Sequence, residues 1–222
     1  LNAAPTARFP PLPYTLIPIA GRAIPVGGPP LLVLDACVLM SSVLRPLLLL
    51  LADRQAYRPV WSARIGREWV RNAARIWDCE QALVEQDWQA MQDRFPHADA
   101  GDLDAYEAGL RYSDPKDRHV IAAGLAWRAR CGEQITPAAS VLTWNLKDFN
   151  RSEMRRLGMD VYDPDRLLSF WWSQDPATLR DALAQTMEQL VTAGRQPEPL
   201  AVTLNRERLH RLRGLMIAAQ AA

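Results

Sequence analysis

Asp35 directly follows four consecutive aliphatic residues, Leu31 to Leu34, and Asn145 and Asp148 follow a second apolar run, Val141-Leu142-Thr143-Trp144. Short apolar runs of this kind read as strands buried on both faces, which belong to parallel sheets covered by helices. In open parallel sheets, reactive groups gather outside the carboxyl ends of the strands. Glu68 falls on a helix opened by Ser62, and Asp117 falls in the first turn of a helix that starts at Asp114-Pro115. A parallel sheet can bring these groups to one edge, although their spacing does not require it. Carboxylates crowded at one site raise each other's pKa unless a cation neutralises them. Oxygen ligands favour Mg²⁺ or Mn²⁺ over zinc. The cysteines Cys37, Cys79 and Cys131 are too widely spaced for a zinc set or a disulfide framework. The chemistry such a cluster would support is hydrolysis of a phosphodiester, with a metal activating water and offsetting charge on the phosphate oxygens.

Each of these residues also has a plainer reading. Asp114 is a natural N-cap, and Asp117 is the acid three residues on that completes a capping motif. Asn145 and Asp148 are common turn formers. Glu68 is a solvated helix charge unless the neighbouring Ile65/Trp69 stripe draws it inward. Thr143 orients a water or a phosphate, or is simply a strand threonine. His119 faces solvent or packs. Cys37 has no activating histidine near it in sequence and reads as a small buried hydrophobe rather than a nucleophile.

The elements that must position the cluster follow from punctuation and period. Residues 38–53 read as one helix with Pro46 near its start or at a kink. Tyr57–Trp61 reads as a strand. Ser62 caps a helix over 63–77 whose apolar stripe is Ile65, Trp69, Ala73 and Ile76. A helix follows over 79–94. The helix from Asp114-Pro115 runs to Cys131, with Gly132 as its stop. Strands are expected at 141–144 and 159–162, and a helix from Pro164 to 173. Alternating strands and helices imply an α/β fold with a parallel sheet. Beyond Pro176, two helices over 177–193 and 204–220 form an α-helical appendage. Residues 1–30 hold 8 of the 17 prolines and read as an extended or disordered arm.

Composition narrows the classes. Hydrophobic residues are 49% and charged residues 23% of 222, which excludes a disordered or collagen-like chain. The longest aliphatic string, Leu47–Leu51, is far short of a membrane span. With no secretory segment visible, a reducing cytoplasm is the expected setting. A net charge of +1 gives no global basic field. Of the 26 basic residues only Lys116 and Lys147 are lysines, and the arginines suit phosphate contact as well as a coding bias. Arg71, Arg151, Arg155 and Arg156 fall near the expected site edges. Arg206, Arg208, Arg211 and Arg213 form a basic helix face, either solvated or binding RNA or an acidic partner. Most of the tryptophans, Trp69, Trp77 and Trp127 among them, fit core positions, whereas Trp144 stands beside the site as a candidate for nucleobase contact.

The segments Leu-Asp35-Ala-Cys-Val-Leu, Trp61 through Glu68 to Asn72, Asp114-Pro-Lys-Asp117-Arg-His-Val-Ile-Ala-Ala and Val-Leu-Thr143-Trp-Asn145-Leu-Lys-Asp148-Phe149 occur in the order found in the PIN domain family of metal-dependent nucleases. Residues 31–170 resemble that family. The resemblance implies a PIN-like parallel sheet flanked by helices over 31–172, followed by a helical extension over 173–222. It implies an acidic quartet, Asp35, Glu68, Asp117 and Asp148, that is catalytic and holds Mg²⁺ or Mn²⁺, with Asn145 as an additional ligand. It further implies an RNA substrate and products ending in 5′-phosphate and 3′-hydroxyl, for which Thr143, Arg71, Asn72 and Trp144 are the candidate substrate contacts by their positions. Many members resemble the toxin half of bacterial VapBC-type pairs, so a cognate antitoxin and a homodimer are expected partners. The position two after the first aspartate is commonly Asn in the family and is Cys37 here. The expectation is that its hydrogen bond to the carboxylate is missing or weakened. The alternative is a catalytically weakened PIN-fold module for RNA binding or protein interaction. A phosphatase of the haloacid dehalogenase type would need an aspartate where Cys37 stands.

Overall fold

Four strands form one parallel sheet. β1 (Leu31–Leu34) lies at its centre, β2 (Arg58–Val60) on one side, and β3 (Ala139–Leu142) then β4 (Met159–Tyr162) on the other. Every residue of β1 and β3 is buried, as strands covered on both faces must be. The computed structural model describes residues 31–54, 56–130 and 139–221. The arm expected over 1–30, and Cys131 and Gly132 at the expected helix end, lie outside them.

The chain leaves β1 toward β2 and later crosses back to β3. β1 and β3 are therefore neighbours from which the chain departs in opposite directions. A crevice opens at the carboxyl end of such a pair. Leu31 pairs with Ala139 and Leu34 with Leu142, and the Asp35 N–H continues the ladder to the Leu142 carbonyl at 3.2 Å. The register sets Asp35 beside Thr143 at the end of β3. The strand expected over 141–144 sits two residues earlier, because Ala139 and Ser140 pair with both neighbours.

The helix expected over 38–53 is two helices, α1 (Ala36–Leu39) and α2 (Leu44–Asp53). Ser41 makes the break by accepting the N–H groups of Val43 and Leu44 at 3.1 and 2.8 Å. Pro46 then falls in the first turn of α2, where its missing N–H is no loss. α3 (Ala63–Trp77) has the expected bounds, with Ser62 Oγ accepting the Ile65 N–H at 3.3 Å. Ile65, Trp69 and Ala73 are buried, but Ile76, the last residue of the stripe, is exposed. α4 (Gln81–Arg94) lays Trp88 against α3, tilted on Trp61 and Trp69 at centroid distances of 5.6 and 6.1 Å. Gly66 permits that approach, since a Cβ there would run into the Trp88 ring.

A short helix α5 (Asp104–Glu107) and α6 (Arg118–Arg130) complete the middle of the chain. α6 starts three residues later than Asp114-Pro115 suggests. Asp114 Oδ1 accepts the Lys116 N–H at 2.9 Å, and the segment makes a turn before the helix rather than its first turn. After β3 come a 3₁₀ turn (Leu146–Asp148) and α7 (Arg151–Arg156), capped by Asn150. α8 (Pro164–Gln174) and α9 (Pro176–Thr192) follow β4. The helix expected over 204–220 divides into α10 (Leu200–Arg206) and α11 (His210–Ala221). Arg208 breaks it with φ 59°, and Asp165 caps α11 by accepting the N–H groups of Arg211 and Leu212. No single basic helix face survives this break: Arg206 pairs with Glu198, and Arg208 lies 5.9 Å over the Trp144 ring. The C-terminal helices pack into the same core as the sheet, through Leu183, Leu204 and Leu212.

Candidate active site

Asp35 is the N-cap residue of α1, yet its side chain makes no capping bond. Its Oδ2 instead accepts the Thr143 hydroxyl at 2.6 Å and the Cys37 thiol at 3.1 Å. Thr143 Oγ1 in turn accepts the Asn145 N–H at 2.9 Å, and Cys37 Sγ accepts the Trp144 N–H at 3.3 Å. The carboxylate after β1 is thus fixed by the backbone after β3. The hydrogen bond expected to be missing or weakened at Cys37 is present, through a weak sulfur donor. Thr143 is fully buried and orients Asp35, so it does not face a substrate. Burial, then the Asp35 charge, holds the Cys37 thiol well above its ordinary range, so it is not a nucleophile at neutral pH.

Glu68, Asp114, Asp117, Asn145 and Asp148 line one cavity of about 810 Å³, together with Arg64, Arg67, Arg71, Lys116 and His119. α3 supplies Glu68 and the three arginines, the turn before α6 supplies Asp114 to Asp117, and the 3₁₀ turn supplies Asp148. The Asp114 N–H donates to the Asp148 carbonyl at 2.8 Å, which ties the second and third of these together. The electrostatics record the convergence. The Asp117 carboxyl is pushed up to about 6, first by burial and then by Asp35, Asp148, Asp114 and Glu68. Burial and Asp35 raise Glu68, against the pull of Arg71 and Arg64. Asp35 therefore belongs to the same electrostatic cluster, from just beneath the residues that line the cavity.

The acids share a cavity and a field, but not a ready ligand geometry. Among the described residues, no three His, Cys, Asp or Glu side chains are gathered closely enough to hold a metal ion. Like charges repel, and Asp35 and Glu68 each have another neighbour: Thr143 with Cys37 for the first, His119 for the second. The donor chemistry nevertheless suits a hard divalent cation, being carboxylate and amide oxygen throughout.

His119 is 1% exposed, with Nε2 3.5 Å from Glu68 Oε2. Neither ring nitrogen has a hydrogen-bond partner. Burial, then the Arg64 charge, lowers its pKa, so the imidazole is neutral. Of the remaining candidates, Asn72 is half-buried and not among the cavity residues, and Trp144 packs on the core under Arg208. Arg151 and Arg155 border a separate cavity of about 220 Å³ beside Phe149 and Met159.

Glu153 was not foreseen. It sits on α7 at 1% exposure, and its carboxylate accepts the N–H groups of Arg111, Tyr112 and Ser113 at 2.8, 3.2 and 2.8 Å. Burial alone would raise this carboxyl, but these hydrogen bonds together hold it below its ordinary range. Glu153 anchors the loop that delivers Asp114 and Asp117. In sequence it is one more acid on a short polar helix, and only its burial distinguishes it.

The chain matches no family model, and it has no significant match among curated proteins or solved structures. No helix among the described residues is long and apolar enough to cross a membrane.

Proposed function

We propose that this protein is a metal-dependent ribonuclease of the PIN type, with Asp35, Glu68, Asp117 and Asp148 as its acidic set and Asn145 beside them. The observation that carries the reading is the convergence of Glu68, Asp114, Asp117, Asn145 and Asp148 on one polar cavity, where burial and the surrounding acids push the Asp117 carboxyl up to about 6. Such a concentration of like charge opposes folding until a cation or proton offsets it, and a perturbed carboxyl in a cavity marks a candidate functional site. A Mg²⁺ or Mn²⁺ ion held by these oxygens would supply water activation and charge stabilisation at the phosphate. Thr143 and Cys37 hold Asp35 in place, and neutral His119 lies against Glu68. Arg67, Arg71 and Lys116 line the same cavity and are suited to phosphate oxygens on either side of the cleaved bond. A toxin role, with an antitoxin that places an arginine among the carboxylates, rests on the sequence resemblance alone.

The test is incubation of purified protein with unstructured and structured RNAs, in Mn²⁺ or Mg²⁺ and in chelator. The reading requires cleavage that stops in chelator and in folded Asp35→Asn and Asp117→Asn variants. RNA binding without cleavage under every metal condition would leave the binding-module alternative.

A further inference from the structure

Tyr112 is 64% exposed, the most exposed of the large apolar and aromatic side chains among the described residues and the only aromatic in that group. An exposed aromatic on a loose loop is unremarkable, but this loop is not loose. The N–H groups of Arg111, Tyr112 and Ser113 are all held by buried Glu153. From the other side, the Arg118 guanidinium donates to the carbonyls of Ser113 and Arg111 at 3.2 and 3.0 Å. Ser113 Oγ also accepts the Asn150 N–H at 3.0 Å. The Tyr112 backbone is therefore fixed while its ring is left in solvent. The Arg156 guanidinium lies 5.4 Å from the ring centroid, and the Arg111 side chain is exposed alongside.

We propose that Tyr112 is a stacking platform for one unpaired base of a single-stranded RNA whose backbone enters the neighbouring cavity. This rests on the nuclease reading of that cavity. Stacking suits any base, because every base presents a π face, and a ring carried on an already fixed backbone spares the cost of ordering the loop on binding. Arg156 adds a cation beside the ring, where stacking and phosphate contact reinforce each other. The reach also fits. Tyr112 stands two residues before Asp114 of the cavity wall, at most about 7 Å between their α-carbons, so the platform stands beside the cavity rather than across the molecule from it. A base inside a duplex has no free face to offer, so the platform selects single strands.

The test is fluorescence anisotropy with a 5′-fluorescein single-stranded RNA 10-mer and a perfect RNA duplex, in the catalytically blocked Asp117→Asn protein. Tyr112→Ala should weaken single-strand binding about tenfold, at unchanged thermal stability, and leave duplex binding alone. Tyr112→Trp and Tyr112→Phe should keep most of the affinity. Equal affinity in the alanine variant, or an equal loss on duplex and single strand, overturns the platform; in that case an Asp117-dependent cleavage in the unsubstituted protein would leave the nuclease reading intact. If the Asp117→Asn protein binds no RNA and the unsubstituted protein cleaves none, both readings fall together.

Discussion

Thr143 contributes through a single oxygen that joins two strand ends. It donates to Asp35 and accepts from the Asn145 backbone. Thr143→Val keeps the shape and removes both bonds. It should lower the proposed cleavage roughly 10–100-fold, because the orienting partner of a carboxylate proposed to bind metal is lost. It should also cost about 1–3 kcal/mol in urea denaturation, from the polar groups left unpaired. Thr143→Ser should restore most of both. Asp117 behaves in the opposite sense. Its folded pKa of about 6 exceeds the unfolded value of about 3.9. Between those values the folded chain binds more protons, so stability falls as pH rises from about 4 to 6, and the penalty persists above. Asp117→Asn should therefore be more stable than the parent at pH 7, by about 1 kcal/mol once solvent screening is allowed for, with no advantage at pH 4. Thermal melts of metal-free protein at the two pH values check this, and a variant destabilised at pH 7 would show that Asp117 is structural. The sequence makes Asp35 and Asp117 legible because strand ends and helix starts are predictable. It hides the role of Thr143, because nothing local says that a strand threonine faces the carboxylate of the next strand.

The elements that carry the site were legible in proportion to how local their signals are. Ser62 and the helical stripe define α3, and the apolar run Leu31–Leu34 defines β1 without help from the rest of the chain. The late start of α6 is different. Asp114-Pro115-Lys116-Asp117 has the chemistry of a helix N-terminus, but tertiary bonds to Asp148 and Glu153 hold the preceding chain so that the turn forms first. The breaks at Ser41 and Arg208 likewise answer distant partners, since Ser41 donates to Glu207 at 2.6 Å. Glu153 is where this can be tested. Its carboxyl is held below the ordinary range, so it contributes stability above the unfolded pKa of about 4.3 that is lost as pH falls through the folded value. Glu153→Gln should destabilise by about 2 kcal/mol at pH 7 and much less at pH 3. Hydrogen exchange at the amides of 111–113 should quicken in the variant and approach that of exposed loops. Unchanged exchange would mean that the loop carries its own order.

On the scale of the molecule, the sheet order explains why acids far apart in sequence meet. Asp35 and Thr143 flank the crevice between β1 and β3, and α3, the turn before α6 and the 3₁₀ turn bring the other polar groups to the same cavity, while Arg208 of the C-terminal segment covers Trp144 beside it. The result is a cavity lined by both carboxylates and basic side chains, in a chain whose net charge is only +1. The central proposal is that these carboxylates bind a divalent cation. Isothermal titration calorimetry of Mn²⁺ into the full chain at pH 7 tests it most directly. The account predicts saturable binding, weakened at least tenfold in folded Asp35→Asn and Asp117→Asn variants. Absence of saturable binding in the parent, or binding that both variants retain, would contradict it.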